Sequence, residues 1–209
     1  MRLIAVGCEY AGKTTLLQGL QKWGLDRGIR HHLDDHFTIP DCQMLKTKED
    51  REAMLSNPQT LKERFQRFQI AYHVRLINKY EHIMLGGFHI EEAVYGPRYY
   101  YPDLGRIIES PRREETLMPA DSILVHLTAS PEAIARRMDD DPHEYPVVPR
   151  DDIDEVLDTF QKEFSGSWLM RKFQIDTTDL APESLLDAFF EASTPHLSER
   201  DLLIRMNTK

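Results

Sequence analysis

The stretch that decides the fold is Gly7-Cys8-Glu9-Tyr10-Ala11-Gly12-Lys13-Thr14. It reads G-x-x-x-x-G-K-T, a spacing that lets backbone N–H groups wrap a phosphate chain. Before it runs Met1-Arg2-Leu3-Ile4-Ala5-Val6, a short apolar run suited to a buried parallel strand. After it, Leu16, Leu17, Leu20 and Trp23 recur like one face of a helix. Strand, glycine-rich turn and helix are the context in which the pattern has a mechanism. The two glycines free the backbone to curl. The helix N-terminus and the amides from Gly7 and Glu9 through Tyr10, Ala11, Gly12, Lys13, Thr14 and Thr15 then face an anion. Lys13 is expected to reach the β- and γ-phosphates of a nucleoside triphosphate, and the Thr14 hydroxyl to ligate Mg²⁺.

Composition bounds the rest. The 209 residues suit one domain spanning 1–209, with lid insertions on a single core, and 41% hydrophobic content is enough to fill it. A net charge of −9 argues against a nucleic-acid polymer as partner, because phosphate neutralisation needs clustered Lys and Arg. A small nucleotide needs only a local basic pocket. The 2 Cys have no metal-type spacing and read as reduced thiols of a cytoplasmic protein. There is no signal-peptide pattern and no long apolar span, so no membrane partner is expected. The nine His are scattered without ligand spacing, and no zinc site is expected.

Along the chain, the first helix is expected to end near Gly24 or Gly28. A second strand around Arg30-His31-His32-Leu33 ends in Asp34-Asp35. Residues 41–59 read as a loop or short helices over the site. Residues 60–80 are helical, with Leu61, Phe65, Phe68, Tyr72 and Leu76 at helical spacing. A short strand around His82-Ile83-Met84-Leu85 closes in Gly86-Gly87, and residues 88–104 read as aromatic and turn-rich. Ser122 to Leu127 is a strand. Ser130-Pro131-Glu132 opens a helix with Ser as N-cap and Pro in its first turn. Residues 152–164 are an amphipathic helix, 172–176 a last strand and 182–190 a helix. The tail after Pro195 carries no clear pattern. Strands alternating with helices predict an α/β fold with a mostly parallel sheet, whose ligands bind at the strand C-terminal ends.

The loops at those ends hold the unusual residues. Asp34 and Asp35, not separable by sequence, are candidates for the base that takes an acceptor proton or for a metal ligand; the alternative is an acidic turn. On the 60–80 helix, Phe65 or Phe68 can stack a base and Gln66 or Gln69 can bond its edge, with Tyr72 extending the wall; ordinary core packing is the alternative. Glu91 and Glu92 can ligate Mg²⁺ or a sugar hydroxyl, or sit in a solvated turn. Arg98 and Arg106 flank a tyrosine cluster, where either can clamp a phosphate. Arg136 and Arg137 lead into a Pro-rich stretch, and residues 136–150 read as a lid that carries cations onto a transferring phosphoryl group. A basic helix C-terminus is the plainer reading of the pair.

Taken in order, these segments resemble the thymidylate kinase-like branch of the P-loop kinases, with traits of the deoxynucleoside kinases. The resemblance rests on the phosphate loop, the acidic end of the second strand, the Phe/Gln helix, His89-Ile90-Glu91-Glu92-Ala93-Val94-Tyr95-Gly96-Pro97, Arg136-Arg137 and Ile175-Asp176-Thr177-Thr178, and it runs to about Phe190. It implies a P-loop three-layer sandwich with a helical lid. It also implies ATP as donor, Mg²⁺, adenine seated near Thr177 and Thr178, a nucleoside or nucleoside monophosphate as acceptor, and a homodimer as one possible assembly. One departure stands out. Thymidylate kinases end the third strand in an Asp-Arg pair, and here Gly86-Gly87 stand in those places. Three readings remain open: neighbouring acids such as Glu91 substitute and the chain is a nucleoside or nucleotide kinase; it is a nucleotide-binding switch or pseudo-kinase without transfer; or it phosphorylates another hydroxyl-bearing small molecule, since His32-Leu33-Asp34-Asp35 resembles the riboside kinases.

Overall fold

The structure is a computed structural model that describes residues 1–104 and 111–207. Five strands form one all-parallel sheet: β1 Arg2–Val6, β2 His32–Asp35, β3 Ile83–Gly86, β4 Ser122–Thr128 and β5 Arg171–Asp176, in the order β2-β3-β1-β4-β5. The apolar run before the phosphate loop becomes the central strand because it pairs on both sides: Arg2 lies opposite Ile83 on β3 and opposite Ser122 on β4. Strands covered on both faces must be apolar throughout, and Leu3, Ile4, Ala5, Val6, Ile83, Met84, Leu85, Ile123, Leu124 and Val125 are all fully buried.

The helices are α1 Lys13–Leu25, α2 Lys48–Ser56, α3 Gln59–Lys79, α4 Phe88–Tyr95, α5 Pro111–Glu115, α6 Pro131–Asp140, α7 Ile153–Gly166, α8 Pro182–Ser193 and α9 Glu199–Asn207. They flank the sheet: α1 packs on α8, while α4 packs on α3 and α7. Helix α6 starts as its sequence predicts, with the Ser130 hydroxyl accepting from Ala133 N at 3.2 Å and Pro131 in the first turn. Among the described residues no helix is long and apolar enough to cross a membrane.

Two elements differ from their sequence reading. Helix α3 exists, but its aromatic stripe is not its buried face: Phe68 is 67% exposed and Tyr72 47%, while Glu63, Gln66, Ile70, His73, Ile77 and, of the expected stripe, Leu76 are buried. Gln66 donates to Phe37 O at 2.7 Å, so a polar residue is held inside by its amide nitrogen while Phe68 faces water. Residues 88–95, expected to be turn-rich, form the fully buried helix α4, followed by a π-helical turn over Gly96–Tyr100. A parallel sheet carries all its strand C-termini on one edge. The phosphate loop, Asp35, Gly86-Gly87 and Thr177 therefore meet there, at the point where the chain has neighbours to either side of β1.

Candidate active site

The phosphate loop leaves β1 at Gly7, where a Cβ would lie 2.3 Å from Leu127 O; only glycine lets the loop start this close to β4. Helix α1 has no acidic residue in its first turn, so its N-terminus keeps its positive end for an anion. Beneath the loop, the buried Tyr95 hydroxyl accepts from Glu9 N at 3.0 Å. Thr177 supports it from the side, its Oγ1 lying 3.1 Å from Ala11 O. Burial pushes the Cys8 thiol up to about 12, so it stays protonated inside the loop.

A cavity of about 820 Å³ opens over this loop, lined on the phosphate side by Gly12, Lys13, Thr14, Thr15, Asp35 and Glu91. Lys13 Nζ donates to Gly7 O at 2.6 Å and pairs with Glu91 Oε2 at 2.9 Å. Burial alone lowers the pKa of such an ammonium, but the Glu91 carboxylate outweighs it and holds Lys13 above its ordinary range. Asp35 is reached by solvent through the cavity mouth yet crowded by protein behind. That crowding and the nearby Glu91 charge push its carboxyl up to about 6, against the pull of Lys13.

Gly86 and Gly87 explain how two acids reach this spot. A Cβ on Gly86 would lie 2.3 Å from Asp35 Oδ1, and one on Gly87 would lie 2.8 Å from the Glu91 carboxyl carbon. Gly87 also sits at φ 73, ψ −87, a conformation that strains any residue with a side chain. The missing side chains at the end of β3 and the start of α4 are thus the room into which β2 and α4 deliver their carboxylates. With the Thr14 hydroxyl, these make an all-oxygen donor set of the kind Mg²⁺ takes when phosphates and water complete its shell. Among the described residues no group of three or more His, Cys, Asp or Glu is arranged to hold a metal ion.

The neighbours of the two acids turn elsewhere, because successive residues on a strand or helix point in different directions. Asp34 faces away from the cavity toward His73, whose Nε2 is 3.8 Å from its Oδ1. Burial raises Asp34, but His73 outweighs it and keeps the carboxyl below its usual range. Glu92 is fully buried, 3.1 Å from His36 Nε2 and hydrogen-bonded by the Tyr101 hydroxyl.

Other candidates from the sequence lie apart from the cavity. Phe65 packs edge-on against Phe37 at 4.8 Å, Phe68 and Tyr72 are exposed, and neither they nor Gln69 line it. Arg98 pairs with Asp152 at 3.2 Å and Glu155 at 2.7 Å on and before α7. Arg106 lies outside the described residues. Arg136 is exposed, whereas Arg137 donates to Tyr10 O at 2.8 Å and to Thr177 Oγ1 at 3.1 Å, bracing the phosphate loop. Thr177 lines the cavity; Thr178 instead accepts from Ser130 N at 2.9 Å and donates to Asp176 Oδ1 at 2.6 Å.

The far wall holds residues the sequence reading did not select. Cys42, Gln43 and Arg51 come from residues 41–59, and His143, Glu144 and Tyr145 from residues 136–150. Arg51 joins the two walls, donating to Leu45 O at 2.9 Å and pairing with Glu144 at 2.5 Å. No periodicity marks Arg51, since α2 buries none of its residues.

No protein-family model matches the chain, and no curated protein matches it in sequence. Solved structures do match in shape. The YorR protein of Bacillus subtilis, in complex with phosphorylated GDP, superposes with a TM-score of 0.60 at 18% identity, over 90% of this chain and 94% of its own. A deoxyadenosine kinase from M. mycoides with bound dATP gives 0.61 at 13% identity, over 91% and 98%. A thymidylate kinase from Candida albicans gives 0.55 at 13%, over 91% and 89%. At such identities the likeness speaks for architecture: this chain has the fold of the P-loop kinases.

Proposed function

We propose that the chain is a Mg²⁺–ATP-dependent phosphotransferase, similar to the thymidylate kinase-like proteins, whose acceptor is a nucleoside or nucleoside monophosphate. The observation that carries this reading is the pair Asp35 and Glu91 beside Lys13, in the room left by Gly86 and Gly87. A nucleotide-binding switch has no need of one carboxylate paired with its lysine and a second, raised toward 6, close enough to feel both charges.

In this reading the loop amides and Lys13 hold the donor phosphates, Lys13 leaving Glu91 for them. Thr14, Asp35 and Glu91 would hold Mg²⁺, which when bound neutralises charge on the phosphoryl oxygens. Where Asp35 does not hold that ion, it orients the acceptor hydroxyl and takes its proton. Residues 136–150 act as the lid and exclude water, Arg137 bracing Tyr10 and Thr177 near the adenine side. Catalysis is then positioning and electrostatics. Cys8 and Cys42 are both free thiols, which suits a cytoplasmic enzyme.

Within the acceptor pair, one observation favours the nucleoside. Among the described residues, the arginine expected to clamp an acceptor phosphate, Arg98, is engaged by Asp152 and Glu155. Arg51 and Arg137 in the cavity wall also have protein partners. The decisive experiment measures ATP consumption and product over nucleosides, deoxynucleosides and their monophosphates, with Lys13→Ala alongside. Lys13→Ala is expected to lose roughly 10²–10³-fold or more in kcat. ATP binding without product from any acceptor, or a Lys13→Ala enzyme at the wild-type rate, overturns the proposal.

A further inference from the structure

A carboxylate is out of place in a loop that cradles phosphates, yet Glu9 occupies the second variable position of that loop. Its side chain turns away from the phosphate side, to the segment that follows α6. Glu9 Oε2 accepts from Val147 N at 2.8 Å and Val148 N at 2.9 Å, two consecutive amides, while Oε1 lies 3.2 Å from His143 Nδ1. The next residue is held by the same segment. The Tyr10 ring stacks on His143 at 4.2 Å, and the Tyr10 hydroxyl accepts from His143 N at 2.9 Å. Tyr10 stands at φ 65, a left-handed conformation that costs a tyrosine energy and persists only where its surroundings impose it. Those surroundings are His143 and the Arg137 guanidinium on Tyr10 O.

We propose that Glu9 is a latch joining the phosphate loop to residues 143–148, so that closure over the cavity and the loop's phosphate-binding shape are one event. Glu9 is a positioning residue: its backbone amide is taken by Tyr95, and its carboxylate acts on the lid amides rather than on the phosphates. Two successive amides on one carboxylate form a charge-assisted pair, stronger than hydrogen bonds between neutral groups. When the latch opens, Tyr10 loses the contacts that hold its left-handed backbone. An open lid therefore also means a loop released from its binding shape. The kinetic consequence rests on the kinase reading; the latch itself is read without any substrate.

Hydrogen exchange of the ligand-free protein tests it. In Glu9→Ala the amides of Val147 and Val148 are expected to exchange roughly 10- to 100-fold faster than in wild type, the factor that goes with losing a hydrogen-bonded charge. Glu9→Gln, which keeps one acceptor oxygen, should fall between. Tyr10→Phe keeps the stacked ring and removes only the acceptor for His143 N, so faster exchange at His143 is expected there; this variant decides the matter if Glu9→Ala does not fold. In turnover, Glu9→Ala should raise the KM for ATP about tenfold with a smaller change in kcat, because a less populated closed state lowers apparent affinity. Unchanged exchange at Val147 and Val148 in Glu9→Ala, or at His143 in Tyr10→Phe, overturns the latch. Accelerated exchange in a protein that phosphorylates nothing keeps the latch and removes the kinase reading. Phosphotransfer by a wild type whose Glu9→Ala variant exchanges normally does the reverse.

Discussion

Replacing Asp35 by Asn is expected to do two opposite things at once. The side chain keeps its shape and loses its charge, in a place where that charge is unwelcome: Glu91 and the surrounding protein raise the folded carboxyl to about 6 from 3.8. Below about 4, folded and unfolded chains are both protonated at this residue, and the raised pKa contributes its full stability. As pH rises toward 6 the unfolded chain has released its proton while the folded one holds on, and that stability is lost. Above 6 the ionised carboxylate remains as repulsion against Glu91. In a fully enclosed site the gap between 3.8 and about 6 corresponds to about 3 kcal/mol. Solvent reaches Asp35, so screening reduces this to about 1 kcal/mol. Asp35→Asn should therefore melt about 2–4 °C above wild type at pH 8, and the gain should vanish near pH 4. Meanwhile phosphotransfer should fall roughly 10²–10⁴-fold, the range for losing a positioned base. Thermal melts of both proteins across pH 4–8, paired with turnover at pH 8, provide the check. A variant less stable than wild type at pH 8, or a difference independent of pH, refutes the reasoning about Asp35 whatever the activity does.

Two further perturbations follow from the same geometry. Gly86→Ala puts a methyl 2.3 Å from Asp35 Oδ1 and 3.3 Å from Leu17 Cδ1; the carboxylate must swing aside, so kcat/KM should fall nearly as far as in Asp35→Asn, with about 1–2 kcal/mol lost in denaturant unfolding. On α3, Ile70→Ala should cost about 2–4 kcal/mol, whereas Phe68→Ala, on the exposed face, should stay within about 0.5 kcal/mol and leave acceptor KM unchanged; the opposite ranking would reinstate the aromatic wall.

The sequence carried the fold well because the strands are buried on both faces and read as unbroken apolar runs. The four later strands lie within two residues of their expected places, and α6 and α7 start within a residue. It carried the site less evenly. The phosphate loop is local, so its geometry follows from eight consecutive residues. Asp34 and Asp35 could not be told apart because only the pleat decides which one faces the cavity. Helix α3 misled in part because Glu63, Gln66 and His73 share its buried face with Ile70, Leu76 and Ile77, so of the expected stripe Leu76 is buried while Leu61, Phe68 and Tyr72 are exposed. Gly86-Gly87 looked like a lost acid and a lost arginine because a sequence shows which side chains are missing and not what occupies their space. The contacts of Glu9 with Val147 and Val148 span 138 and 139 positions, and no spacing rule reaches that far.

The placement of β1 at the centre of the sheet has a consequence for how the molecule is made. Its partners are Ile83 to Gly86 on one side and Ser122 to His126 on the other, so β1, made before either partner, must wait for both. Contacts so distant in sequence are slow to close. Until β4 has been synthesised, Gly7 has no Leu127 carbonyl to lie against, and the phosphate loop has one wall instead of two. A growing chain therefore completes the walls of the Gly7–Thr14 loop late, although the loop itself is only eight consecutive residues.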